Sequence, residues 1–99
     1  MKEYRVLISP EAENEFINAY RWYEATRPGL GKEFRKTLSI KIESIRKNPK
    51  YSTFVFANVR STRLQKFPFN IIYRITNLQV QIIAVFHHSR NPYEWKARI

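Results

Sequence analysis

Residues 67–88 read Phe67-Pro68-Phe69-Asn70-Ile71-Ile72-Tyr73-Arg74-Ile75-Thr76-Asn77-Leu78-Gln79-Val80-Gln81-Ile82-Ile83-Ala84-Val85-Phe86-His87-His88. Phe69, Ile71, Tyr73 and Ile75 alternate with Asn70, Ile72, Arg74 and Thr76. Beyond Asn77-Leu78, Val80, Ile82, Ala84 and Phe86 alternate with Gln81, Ile83, Val85 and His87. A period of two is the signature of a strand, and two such runs about a polar turn predict an antiparallel hairpin. The first-named set in each run is assigned to one buried face. The other face carries Ile72, Ile83 and Val85 as well, so it is only partly polar and suits a groove covered by something else.

Upstream, Phe54 to Lys66 reads as one extended stretch, straight or kinked, with Pro68 restricted to a strand start or a bulge. Farther back the period changes to that of a helix. Phe34, Leu38, Ile42 and Ile45 form an apolar stripe on a helix from about Gly31 to Lys47, stopped by Asn48-Pro49. Ala12, Phe16, Ala19, Tyr20 and Tyr23 do the same on a helix running to about Thr26, with Glu15, Asn18 and Arg21 assigned to its polar side. Ser9 is placed to cap that helix, Pro10 fits its first turn, and Glu11 and Glu13 suit its positive end. Pro28-Gly29-Leu30-Gly31 turns the chain between the helices, which predicts an antiparallel helical hairpin. Tyr4 to Ile8 reads as a first strand. The expected fold is α+β in the order β-α-α-β-β-β: an N-terminal strand, then a helical hairpin packed on a mostly antiparallel twisted sheet. A chain of 99 residues suits one domain spanning residues 1–99.

Charge narrows the function. There are 18 Lys and Arg against 8 acids, a net charge of +10, and every acid is Glu. Residues 60–99 hold only Glu94 on the acidic side, so the strand-rich half is the more positive. Such a field attracts nucleic acid, a machine that carries it, or an acidic protein. The absence of cysteine excludes a disulfide frame, a thiol nucleophile and a cysteine zinc site. No apolar run reaches the length of a signal peptide or a membrane span, so a cytoplasmic setting is expected.

Four segments together resemble one family. Ile8-Ser9-Pro10-Glu11-Ala12-Glu13 resembles the opening of the RelE/ParE toxin superfamily, and Gly31-Lys32-Glu33-Phe34 through Asn48-Pro49 its second helix and stop. Arg63-Leu64-Gln65-Lys66-Phe67-Pro68-Phe69-Asn70-Ile71-Ile72-Tyr73-Arg74-Ile75 is similar to its central strands, and Val85-Phe86-His87-His88-Ser89-Arg90-Asn91-Pro92 to its closing strand and tail. The resemblance implies the toxin of a type II toxin–antitoxin pair, held in a hetero-oligomer by a cognate acidic antitoxin, with no cofactor and no metal. It implies one of two targets. ParE-like members inhibit DNA gyrase by binding; RelE-like members cut mRNA on the ribosome by metal-independent 2′-OH attack. An inactive basic binding module is a third outcome. The tail His88-Ser89-Arg90-Asn91-Pro92 looks closer to the ParE side, so gyrase is the favoured expectation.

Catalysis on RNA needs a base, an acid and cations about one phosphate. Lys66 is the expected base if the chain is a nuclease, with Arg63, Arg74, His87 and Arg90 completing that set. No Asp or Glu occurs between residues 44 and 93, which weighs against a carboxylate base. Residues expected to meet a target or an antitoxin are Arg60, Arg63, Arg74, His88, Arg90 and Tyr93. Strand alternation puts Arg60 and Arg63 on opposite faces and separates His87 from His88 in the same way. Arg74 has an equally good reading as a structural cation between strand neighbours. Tyr93 is expected to pack beside Trp95, with stacking on a base as the alternative, and Trp95 to anchor the tail. Arg35, Lys36, Lys41 and Lys47 read as a solvated helix face, so Arg90→Ala is expected to weaken the toxin more than Lys41→Ala.

Overall fold

The computed structural model describes residues 3–99. Its elements are β1 (Arg5–Ile8), α1 (Pro10–Thr26), α2 (Leu30–Lys47), β2 (Thr53–Phe56), β3 (Val59–Arg63), β4 (Phe69–Thr76), β5 (Gln79–His87) and a short α3 (Tyr93–Lys96). The strands form one five-stranded sheet in the order β1-β5-β4-β3-β2, with β1 parallel to β5 and every other pair antiparallel. The helical hairpin covers one face. This is the α+β architecture anticipated from the sequence.

Local chemistry explains each helix end. Ser9 Oγ accepts from the amide of Ala12 at 3.1 Å, and Pro10 begins the first turn of α1. Between the helices, the carboxylate of Glu24 accepts from the amides of Gly29 at 2.9 Å and Gly31 at 3.0 Å, so a side chain of α1 satisfies free donors at the start of α2. Those amide bonds hold Glu24 below the usual carboxylate range. Gly31 is required by proximity: a Cβ there would lie 2.7 Å from the carbonyl oxygen of Tyr20.

The main core lies between hairpin and sheet. Phe34, Leu38 and Ile45 of α2 and Ala12 of α1 meet Phe69, Ile71, Tyr73, Val80, Ile82 and Val85. Leu64 and Phe67, flanking the β3–β4 connection, join them. The phenol of Tyr73 is buried but satisfied, donating to the carbonyl of Pro49 at 2.7 Å.

Two details depart from the alternation read in the sequence. The stretch from Phe54 to Lys66 is not one strand: it folds at Ala57-Asn58 into the β2–β3 hairpin, with Ala57 at φ 50°. In β5, Ile72 pairs with Ala84 but Tyr73 pairs with Ile82, so Ile83 is an extra residue and the strand is bulged. The bulge reverses the alternation beyond it. Val85 and His87 therefore join the helix side with Val80 and Ile82, while Ala84 and Phe86 move to the opposite face. There they form a second apolar cluster with Val59, Ile72, Ile83 and Trp95. Trp95, only 5% exposed, brings α3 onto that face as the expected anchor of the tail.

Candidate functional site

The bulge also shapes the polar architecture beside it. β1 stops at Ile8, opposite Ile82, so the outer edge of β5 is open from Ile83 onward. Open strand edges need other partners. The carbonyl of Ile83 accepts from Ser9 Oγ at 3.1 Å and from Arg98 Nη1 at 3.1 Å. The amide of Val85 donates to Glu15 Oε1 at 3.0 Å. The same carboxylate accepts from Arg98 Nη1 at 3.0 Å and Nη2 at 2.9 Å, and from Arg90 Nη1. Glu15 is thus a hub joining α1, β5 and the tail. Its side chain is 11% exposed and that of Arg98 16%. The bonds to Glu15 raise the Arg98 guanidinium above its ordinary value. Glu15 was assigned to the polar side of α1. Its place at the border of the stripe, three residues after Ala12 and four before Ala19, is the signal by which it would have been found.

On the second face lies a groove of about 430 Å³ lined by Val55, Ser61, Arg63, Asn70, Ile72, Phe86, His87, His88, Arg90, Pro92 and Trp95. Of the predicted residues, Arg63, His88 and Arg90 line it, and His87 borders both this groove and the helix-side hollow. Arg63 pairs with Asn70 across β3 and β4, which sets both on this face. Asn70 Nδ2 donates to Ser61 Oγ at 2.7 Å, and His88 Nε2 lies 2.7 Å from Asn70 Oδ1. Because the Asn oxygen can only accept, His88 Nε2 is the donor of this bond, and its Nδ1 has no partner among the described residues. His87 turns to the other face, where its ring meets Phe69 edge-on at 5.0 Å and its Nδ1 accepts from the Ser89 amide at 3.0 Å. The two imidazoles thus diverge as strand geometry requires. Arg90 lies over the Phe86 ring at 4.3 Å and is held by Glu15 and, at 3.0 Å, by Glu94.

The remaining predicted residues lie elsewhere. Arg60 is on the helix side, donating to the carbonyls of Lys50 and Ser52 and stacked over Phe54 at 3.9 Å. Arg74 donates to Gln81 at 2.9 Å across β4 and β5, toward the far end of the sheet from the groove. Tyr93 is 73% exposed on α3, with Lys96 Nζ 5.3 Å from its ring centroid, and does not line the groove. Lys66 sits in the β3–β4 connection at φ 70°, beside a second cleft lined by Lys41, Arg63, Leu64, Gln65, Lys66, Phe67 and Pro68. Among the described residues, Lys41, Arg63 and Lys66 have no ion pair and no side-chain hydrogen bond. Of Arg90 and Lys41, Arg90 is thus the cation paired with carboxylates and Lys41 the unpaired one.

A helical hairpin on one face of a five-stranded sheet, with an arginine- and histidine-lined groove on the other, defines a small α+β domain class. The chain belongs to the family of ParE toxins of type II toxin–antitoxin (parDE) systems, whose sequence model matches residues 6–92. Several solved structures are similar to it, among them the following two. A chain of the chromosomal ParDE system of P. aeruginosa matches with a TM-score of 0.76 and 14% identity, covering 85% of this chain and 95% of that one. The isolated E. coli RelE toxin matches with a TM-score of 0.65 and 16% identity, covering 96% and 95%. At these identities the likeness is one of fold. No curated protein matches the chain in sequence. No helix among the described residues is long and apolar enough to cross a membrane.

Proposed function

We propose that this toxin arrests growth in the cytoplasm by binding DNA gyrase rather than by cutting RNA, and that a cognate acidic antitoxin neutralises it. The observation that supports binding over catalysis is the commitment of the groove's reactive groups. Arg90 is held by two carboxylates, and His87 and His88 point to opposite faces with one nitrogen each already bonded. In-line attack on a phosphate needs an acid and a base on either side of one phosphorus, with a cation free to follow the developing charge. Recognition of a protein surface makes no such demand. An acidic antitoxin suits the net charge of +10. An amphipathic segment of it has apolar ground along α1, in clefts lined by Trp22, Tyr23, Phe69 and Val85 and by Ile8, Phe16, Leu38 and Ile42.

Inducing the chain without its antitoxin tests the target. Plasmid supercoiling is expected to fall in the first minutes, before protein synthesis does. Translation stopping first, with supercoiling intact, contradicts the gyrase reading. That outcome would favour a ribosome-dependent endoribonuclease, for which the open Nδ1 of His88 beside Arg63 is the supporting feature.

A further inference from the structure

Arg63 belongs both to the second-face groove and to the cleft at the β3–β4 connection, and Lys41 belongs both to that cleft and to a third depression lined by Ser44, Asn48, Tyr51, Ser52 and Thr62. The three hollows are therefore neighbours, each sharing a lining cation with the next, from the α2 side of β3 to the opposite face. No Glu lines any of them, whereas the two hollows along α1 contain Glu15 and Glu13. Lys41, Lys66, Arg63 and His88 follow one another along this track. Lys66 is presented by a backbone at φ 70°, a conformation few lysines adopt. Leu64 and Phe67, both buried, pin the loop on either side and so hold that geometry.

We propose that the track binds the phosphodiester backbone of a nucleic-acid strand directly, independently of which machine the toxin arrests. An acidic polypeptide is the poorer occupant. It needs apolar anchors beside its charges, and of the apolar residues of the middle cleft Leu64 and Phe67 are buried, which leaves Pro68 alone at the surface. A phosphate chain needs only spaced cations and an occasional ring face for a base. Tyr51, 85% exposed at the α2 end of the track, offers that face.

The test is titration of the purified full chain with a labelled single-stranded oligonucleotide at several salt concentrations, with poly-glutamate as a parallel probe. The variant Lys41→Gln/Lys66→Asn removes two cations while keeping a residue tolerant of positive φ at 66. Arg21→Gln/Lys36→Gln removes the same charge from exposed helix positions outside the track. The track variant is expected to bind the oligonucleotide about tenfold more weakly, with a salt slope shallower by about 1.4, the loss of two phosphate contacts. The control pair is expected to change affinity less than about twofold. Equal losses in both pairs would mean diffuse attraction and overturn the site, as would unchanged binding by the track variant. A loss for poly-glutamate as steep as that for the oligonucleotide would also overturn it, in favour of a carboxylate partner. Thermal melting of each variant separates lost binding from lost fold. Because gyrase is absent from the titration, its outcome is separate from that of the target test.

Discussion

The corner where α1, β5 and the tail meet and the flank around β3 are built from the same residue types and use them in opposite ways. At the corner each cation faces an acid: Arg90 and Arg98 share Glu15, and Glu94 takes the other side of Arg90. Around β3, Lys41, Arg63 and Lys66 have no acid lining their hollows. Paired and half-buried charge holds a strand edge that would otherwise be open. Unpaired charge in a cleft adds nothing to the fold and keeps its field for a partner. A tally of arginines cannot separate these roles; the position of eight glutamates does.

The contrast is broken most forcefully at its hub. Glu15→Ala should cost about 3 kcal/mol in urea unfolding, because it removes both carboxylate bonds of the half-buried Arg98 and the partner of the Val85 amide, and leaves Arg90 to Glu94 alone. A loss no larger than that of an ordinary surface change would mean the tail is held by Trp95 alone. Gly31→Ala probes the second paired carboxylate. A methyl there would stand 2.7 Å from the Tyr20 carbonyl and 2.9 Å from Glu24 Oε1, which should cost about 2 kcal/mol by the same assay.

Acid titration sharpens the point. The folded chain holds Glu24 below its ordinary value of 4.5 through the amides of Gly29 and Gly31. Its contribution to stability is therefore fully present above 4.5 and lost as pH falls through the lowered folded value. Thermal melts in that range should decline less steeply for Glu24→Gln than for the wild type. The smallest effect is expected on the opposite flank, where Arg63→Ala should shift stability by less than about 0.5 kcal/mol.

Much of this frame could be read from the residues. The helices announce themselves by stripes at helical spacing and by Ser9-Pro10 and Asn48-Pro49 at their ends. The β4–β5 hairpin does so through Asn77, which adopts φ 56° as its residue type allows. The β2–β3 turn was hidden because Ala57 takes φ 50° without glycine to mark it. The bulge was hidden because Ile82-Ile83-Ala84-Val85 is apolar on both faces, so an inserted residue leaves no break in the pattern. Four of the proposed site residues, Arg63, His87, His88 and Arg90, do line one groove. What alternation could not supply was their partners. Glu15 meets Val85 and Arg98 across 70 and 83 residues of chain, beyond the reach of any local pattern.

On the proposed gyrase reading, the unpaired cations around β3 are the surface through which the toxin acts. Inhibition of DNA supercoiling by purified gyrase, compared for the wild-type chain and Arg63→Ala at equal folded concentration, tests it most directly. The wild type should inhibit, and the variant should need at least about tenfold more protein while melting at an unchanged temperature. Equal inhibition by both, or none by the wild type, would contradict it.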